Sequence, residues 1–141
     1  MTTAKVLLVD DEKAFLLSNA KLLTNRGYDV LTAQTGESAL EILAGNDIDV
    51  TVLDVRMPGM DGLTVLAEIR KRFPLVEVIL LSGHATLETA VDGLRIGAMD
   101  YVMKPCRIDD LTQKIEEARE RRIINEEKRR YQAAAGKEPS A

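Results

Sequence analysis

The stretch Val50-Thr51-Val52-Leu53-Asp54 decides the fold class. The predicted strand, Asp49–Leu53, is largely apolar at successive positions, so both of its faces are expected to be covered. Strands of this kind lie in the centre of parallel sheets that carry helices on both faces. Asp54 ends the run, and an isolated ionised carboxylate there is costly unless it is paired or bound to a metal. The stretch therefore predicts an α/β protein with an acidic site at the end of a central strand.

Similar runs flank this strand on both sides and alternate with amphipathic segments. The further strands are predicted at Lys5–Val9, Asp29–Ala33, Val76–Leu81 and Tyr101–Met103. Helical spacing predicts helices near residues 12–26, 35–43, 63–73, 86–96 and 107–131. Such alternation is typical of successive βα units that form a parallel sheet. We therefore expect one α/β domain.

The C-terminal part of the chain is rich in charge of both signs. Residues 107–131 contain eight Lys or Arg and seven Asp or Glu. This mixture predicts a long, solvated helix with ion pairs four positions apart, Glu117–Arg121 and Glu126–Arg130. Residues 133–141 are expected to form a frayed tail. The predicted organisation is a domain at residues 1–122, followed by a charged helical extension and flexible tail at residues 123–141.

Composition argues against several classes of protein. The 141 residues carry 19 basic and 23 acidic side chains, a net charge of −4, which argues against direct nucleic acid binding. Cys106 is the only cysteine, so an internal disulfide is excluded and a small core or surface residue is expected there. No apolar stretch approaches the roughly 18 residues that span a bilayer, and the N-terminus lacks the apolar core of a secretory signal. A soluble, cytoplasmic protein without membrane contact is expected.

Acidic residues follow two of the predicted strands directly. In an open parallel sheet the functional crevice lies outside the carboxyl ends of the strands. Asp10 and Asp11 follow the first strand, and they would share that crevice with Asp54 if the two strands are neighbours. Three carboxylates there would suit Mg²⁺, and an aspartate can accept a phosphoryl group as an acyl phosphate. Taken alone, Asp10-Asp11 fits a helix N-cap with an acidic first turn equally well.

Lys104 and Ser82 end two further strands. Lys104 precedes a proline, which favours an extended mount from which its ammonium can reach a phosphoryl oxygen. Ser82 can donate a hydrogen bond to such a group, and Gly83 leaves room for its approach. The plainer readings are a solvent-exposed lysine and a helix-capping turn at Ser82-Gly83-His84. His84 is the only histidine and is expected in an exposed loop beside the site. Tyr101 suits either a switch between solvent and a cavity or a half-buried strand position.

Four motifs in this order and spacing resemble one family. They are Val9-Asp10-Asp11-Glu12, the segment 53–62 (LDVRMPGMDG), Leu81-Ser82-Gly83-His84-Ala85 and Tyr101-Val102-Met103-Lys104-Pro105. The chain resembles the receiver domains of bacterial two-component response regulators, of the CheY-like and NtrC-type kind, over roughly residues 5–122. The resemblance implies a doubly wound (βα)5 flavodoxin-like fold with strand order 2-1-3-4-5, which general descriptions of this fold illustrate with CheY itself.

The resemblance also implies roles for individual residues. Asp54 would accept a phosphoryl group from a histidine kinase or a histidine phosphotransfer protein. Asp11 and Asp54 would hold Mg²⁺ together with the backbone carbonyl of Arg56, and Asp10 would act mainly through water. Because a receiver modifies and resets only itself, the resemblance implies a signalling phosphoacceptor and not an enzyme.

The remaining motif residues would read out the phosphorylated state. Lys104 and Ser82 would bind the phosphoryl oxygens, and Tyr101 would follow Ser82 inward. Arg56, Gly83 and His84 would flank the acyl phosphate and set its lifetime. The surface expected to change lies on the fourth helix, the fifth strand and the fifth helix, where a downstream protein or a second copy of the chain would bind in response to phosphorylation.

Two other functions are compatible with an acidic pocket at the end of a central strand. A phosphatase of the haloacid-dehalogenase type also uses a strand-end Asp and Mg²⁺. Such enzymes carry the motif Asp-x-Asp with the second Asp as general acid, whereas the residue two positions after Asp54 is Arg56. An interaction module with an unused acidic pocket is the second alternative. Within the receiver family, a stand-alone regulator is preferred to a piece of a larger one.

Overall fold

The computed structural model describes residues 3–57, 59–83 and 86–136. Its core is a five-stranded parallel sheet made of β1 (Lys5–Val9), β2 (Asp29–Ala33), β3 (Val50–Leu53), β4 (Glu77–Ser82) and β5 (Asp100–Met103). The spatial order is β2-β1-β3-β4-β5, so the order and the central position predicted for the third strand are confirmed. Every residue of β3 is buried, because β1 and β4 pair with it on either side and helices cover both faces.

Five helices alternate with the strands, as predicted. They are α1 (Lys13–Asn25), α2 (Gly36–Gly45), α3 (Gly62–Arg72), α4 (Leu87–Ile96) and α5 (Ile108–Gly136). Side-chain caps explain where α2, α3 and α4 begin, since the first backbone N–H groups of a helix lack partners within the helix. Thr35, Asp61 and Thr86 accept hydrogen bonds from the N–H groups of the third residue beyond them. None of the helices in the described part of the chain combines the length and apolar character needed to span a bilayer.

The sheet separates two apolar layers. One layer packs α2 and α3 onto the sheet through Ala39, Leu40, Leu43, Val65, Leu66 and Ile69. The other packs α1 and α5 onto the opposite face through Leu16, Leu23, Leu111, Ile115 and Ala118. The helix α4 is held less tightly, because Gly93 is its only buried residue and Leu87, Val91 and Leu94 are exposed. The doubly wound architecture is thus complete on both faces, with one loosely packed helix.

The C-terminal helix is longer than the sequence suggested. It continues to Gly136, so residues 133–136 are helical and the expectation of a frayed tail there was wrong; residues 137–141 lie outside the described part. Among the described residues, ion pairs within this helix join residues three apart, as in Lys114–Glu117 at 3.7 Å and Arg130–Glu127 at 2.9 Å, and four apart in Arg122–Glu126 at 3.3 Å. The predicted spacing of four therefore occurs, but at a different pair from the predicted Glu117–Arg121 and Glu126–Arg130. The predicted boundary after residue 122 falls inside one continuous helix and stays a prediction.

Arg122 contradicts the expectation that this helix is solvated along its whole charged stretch. Its side chain is only 7% exposed, and it donates hydrogen bonds to the carbonyl oxygen of Ile48 and, at 2.7 Å, to Asp47. Its Nε lies 3.6 Å from Asp49, and Glu126 accepts a further bond at 3.3 Å. Burial alone would lower the pKa of Arg122, but these acidic partners raise it above its ordinary value. The guanidinium therefore fastens α5 to the segment that leads into β3.

Candidate functional site

Three carboxylates converge at the carboxyl edge of the sheet. One oxygen from each of Asp10, Asp11 and Asp54 lies within 4.8 Å of the other two. The backbone brings them together, because the N–H of Asp54 donates to the carbonyl oxygen of Val9 at 2.9 Å and so continues the β1–β3 ladder. Asp10 and Asp54 are buried, whereas Asp11 is exposed. The neighbouring arrangement of the first and third strands, on which the predicted site depended, is therefore present.

Asp10 is engaged locally in a turn and not in a helix cap. Its Oδ1 accepts a hydrogen bond from the N–H of Glu12 at 2.9 Å. Glu12 itself occupies the N-cap position of α1, with no side-chain cap and no acidic residue in the first turn. The alternative reading of Asp10-Asp11 as a helix N-cap with an acidic first turn is therefore wrong.

Lys104 lies inside this acidic edge and is not solvent-exposed. Its side chain is 17% exposed, and Nζ lies 2.5 Å from Asp10 Oδ2 and 3.8 Å from Asp54 Oδ2. The backbone N–H of Lys104 donates to the carbonyl oxygen of Ser82 at 3.0 Å, which carries the β4–β5 pairing to the ends of both strands. The peptide bond from Lys104 to Pro105 is cis. One ammonium thus offsets part of the charge of two buried carboxylates.

The surroundings of Asp54 raise the pKa of its carboxyl group above the ordinary value. Burial raises the pKa of Asp54, and the nearby charge of Asp10 raises it further. Hydrogen bonds from Ser82 and from the Arg56 N–H, the latter at 3.2 Å, act in the opposite direction, as does the charge of Lys104, but the net pKa remains raised. A carboxylate in this position would gain from a second cation.

Ser82 and Gly83 lie where the sequence placed them. Ser82 is the last residue of β4, is fully buried, and bonds to Asp54. Thr86, not Ser82, caps α4, so the capping reading of Ser82 is wrong. Gly83 and Arg56 line a cavity of about 520 Å³ together with Asp10, Asp11, Glu12, Asp54, Met57 and Lys104. The ligand role of the Arg56 carbonyl stays a prediction, and His84 lies outside the described residues.

Tyr101 faces α4. It is half-buried in β5, and its hydroxyl lies 3.2 Å from Oγ1 of Thr89. Thr89 also completes the capping box of α4 with Thr86. The aromatic side chain expected to act as a switch is therefore tied to the first turn of the helix expected to move.

Two residues at the site were missed from the sequence. The ring centroid of Phe15 lies 3.9 Å from Nζ of Lys104, although Phe15 was assigned only to the packing stripe of the first helix. Gly62 approaches the backbone of Asp54 and Val55 so closely that a Cβ could not be accommodated. Phe15 lies four residues after Asp11, in the first turn of α1, and this short spacing was a usable signal for the first. Gly62 ends the motif at residues 53–62, but the motif gave no reason to expect its close approach to the backbone of Asp54 and Val55.

The donor set fits a hard divalent cation. Magnesium binds carboxylate and carbonyl oxygens while keeping several waters, and two or three carboxylates beside an open cavity suit that preference. Burial is the largest cause of the raised pKa of Asp54, and a cation held beside this carboxylate would offset that cost. The geometry can therefore hold a metal ion beside an aspartate and a lysine, which is the arrangement needed for charge-neutralised phosphoryl transfer.

Comparison with known proteins identifies the family that the sequence motifs resemble. Residues 6–116 match the family model described as "Response regulator receiver domain". The chain is 42% identical over 113 residues to a response regulator described as NtrX-like from Rickettsia bellii, covering 79% of this chain and 24% of that protein. It is 38% identical over 113 residues to the DNA-binding transcriptional regulator NtrC of Escherichia coli K12, covering 80% of this chain and 24% of that protein. The chain thus spans about a quarter of the length of these relatives.

Solved structures agree with the fold. A CheY-like receiver domain from Methanospirillum hungatei superposes with a TM-score of 0.84 at 31% identity, covering 88% of this chain and 99% of that one. NtrX from Brucella abortus, in complex with ADP, superposes with the same TM-score at 35% identity, covering 89% of this chain and 29% of that one. With the strand order, the acidic edge and the family match in agreement, the chain belongs to the response regulator receiver domain family of two-component signalling proteins.

Proposed function

We propose that Asp54 is the phosphoacceptor of this receiver and that a sensor histidine kinase or a histidine phosphotransfer protein is its donor. One observation carries the proposal: the carboxylate at the end of the central strand is buried among two other aspartates and the ammonium of Lys104. Such a group can act as a nucleophile toward phosphorus only where its charge and that of the phosphoryl group are neutralised.

The transfer is a displacement at phosphorus. An oxygen of Asp54 forms a bond to the phosphorus of a phosphohistidine as the P–N bond breaks, and the imidazole nitrogen keeps the electron pair. Asp11, Asp54 and the backbone carbonyl of Arg56 would hold Mg²⁺, with Asp10 acting mainly through water, and the ion would supply positive charge to the transferring group. Lys104 supplies a second positive charge from the same cavity, and Ser82 supplies a hydroxyl beside Asp54.

The acyl phosphate is then removed by water. Attack on phosphorus returns the carboxylate of Asp54 and releases phosphate, so the domain resets itself and turns over no external substrate. Arg56 and Gly83 line the cavity from which water must approach. We propose that these residues, with His84, set the lifetime of the phosphorylated form.

The readout surface lies on α4, β5 and the start of α5. Phosphorylation adds a group with about two negative charges, and new bonds to Lys104 and Ser82 would bias a nearby two-state element. The loose packing of α4, whose only buried residue is Gly93, makes that helix the natural element to shift. The side chains of Leu87, Val91, Leu94 and Met103 are exposed around it and could contact a downstream protein or a second copy of the chain.

The direct test uses a small phosphoryl donor. Incubation with acetyl phosphate and Mg²⁺ should add the mass of one phosphoryl group, and Asp54→Asn should prevent it. Asp110→Asn, which makes the same chemical change at an exposed position in α5, should be phosphorylated like the wild type. Labelling of Asp54→Asn at the wild-type rate would exclude Asp54 as the acceptor.

The phosphatase alternative makes a different prediction. A phosphatase would release many phosphates per chain from an added phosphomonoester, whereas a receiver modifies and resets only itself. Multiple turnover of a monoester would favour the phosphatase. The preference for a stand-alone regulator stays a prediction, because the matched relatives extend far beyond the aligned segment. The cytoplasmic location also stays a prediction.

A further inference from the structure

Lys104 contacts an aromatic face in addition to its acidic partners. The ring centroid of Phe15, in α1, lies 3.9 Å from Nζ of Lys104, well within the range of a cation–π interaction. Phe15 is half-buried and packs against the apolar layer beneath α1 and α5. The ring is therefore fixed by packing, and the ammonium is the more adaptable partner.

We propose that Phe15 is a positioning residue for Lys104, an inference that rests on the proposed role of Asp54 as phosphoacceptor. A lysine carries its charge on a flexible four-carbon stem, so its position in a cavity must be set by its neighbours. In the described part of the chain, the charged and aromatic groups close to Nζ are Asp10 at 2.5 Å, Asp54 at 3.8 Å, Glu12 at 3.9 Å and the ring of Phe15 at 3.9 Å. Of these, only the ring is uncharged.

The ring matters most when the site is loaded. A metal dication held by these aspartates would compete with the ammonium for the charge of Asp10, which would weaken the 2.5 Å pair. The ring has no such competition, because its attraction comes from a quadrupole fixed by packing. Phe15 would therefore keep the ammonium in the cavity, within reach of a group attached to Asp54, when a metal draws on the charge of Asp10.

The first test measures binding of a phosphoryl analogue. Beryllofluoride with Mg²⁺ should bind Phe15→Leu roughly two- to fivefold more weakly than the wild type, since Leu keeps an apolar side chain but has no ring face. Phe15→Tyr should restore the affinity. Phe73→Leu makes the same change just after α3, at a residue that does not line the cavity of the site, and should leave the affinity unchanged.

The second test asks whether Phe15 acts through Lys104. In a Lys104→Met background, which removes the charge and retains a similar stem, Phe15→Leu should cause no further loss of beryllofluoride affinity. A loss as large as in the wild-type background would show that Phe15 only packs against α1 and would overturn the proposal. Unchanged affinity in Phe15→Leu alone would overturn it as well.

A third measurement needs neither metal nor phosphoryl analogue. In the wild type the protons of the Lys104 ε-methylene should be shifted upfield in the NMR spectrum by the ring current of Phe15, and the shift should vanish in Phe15→Leu. Its absence in the wild type would refute the contact. If the wild type bound no beryllofluoride while this shift was present, the proposed phosphoacceptor role would fail and the contact between Phe15 and Lys104 would stand.

Discussion

Substitution of Gly62 by alanine should disturb the site from outside it. Gly62 is the first residue of α3, and its N–H donates to the carbonyl oxygen of Val55 at 2.8 Å. A Cβ at this position would lie 2.5 Å from Cα of Val55 and 3.0 Å from the carbonyl carbon of Asp54, and closer still to the carbonyl oxygen of Asp54. All three atoms belong to the backbone, so no side-chain rotation can relieve the contact.

The expected magnitude follows from that rigidity. Overpacking against side chains costs about 1–3 kcal/mol, and a backbone contact should reach the upper end, about 3 kcal/mol. Separation to an allowed contact of 3.0 Å requires a movement of about 0.5 Å from Cα of Val55 and a larger one from the carbonyl oxygen of Asp54, either at the start of α3 or at the end of β3. Because a misplacement of about 1 Å can cost about a hundredfold in rate, phosphorylation of Gly62→Ala should slow by about tenfold or more.

The chain offers a matched control in Gly45, the last residue of α2. A Cβ there meets nothing within 4 Å, so Gly45→Ala should be neutral or stabilising by up to about 1 kcal/mol. Urea unfolding followed by circular dichroism measures both variants, and acetyl phosphate labelling measures the rate. If Gly62→Ala unfolded at the same urea concentration as Gly45→Ala and was labelled at the wild-type rate, the steric argument would be refuted.

Three further outcomes can be measured by urea unfolding. Arg122→Met should destabilise the chain by about 3 kcal/mol, since the buried carbonyl of Ile48 loses its charged donor and three acidic partners lose theirs; unchanged stability would contradict the anchoring role. Without Mg²⁺, Asp54→Asn should be more stable than the wild type at pH 7: the raised folded-state pKa of Asp54 means that its stabilising contribution, present below the unfolded-state pKa of about 3.9, is lost as pH rises through the folded-state pKa. A gap that does not shrink toward pH 3.5 would argue against this origin. Thr86→Ala should cost about 1 kcal/mol through loss of the cap on α4, and a normal stability would show that the cap is dispensable.

The fold and most of the candidate site could be inferred without coordinates, for a reason specific to parallel sheets. The buried strands are short apolar runs, and the carboxyl ends of all of them meet at one edge. The position of a residue directly after such a run is therefore predictable: it lies at the carboxyl edge of the sheet. Asp10, Asp11, Asp54, Ser82 and Lys104 were placed correctly on this basis, and the central position of β3 followed from its apolar character on both faces.

Contacts between side chains on separate elements could not be predicted in this way. Arg122 looks like any other charge in a mixed helix, and its burial depends on Asp47 and Ile48, which lie some 75 residues earlier. The ring of Phe15 meets Lys104 only because α1 and the end of β5 are brought together beside the sheet. Periodicity records which face of an element is apolar, whereas the partner across that face is chosen by three-dimensional packing, and that choice was visible only in the folded chain.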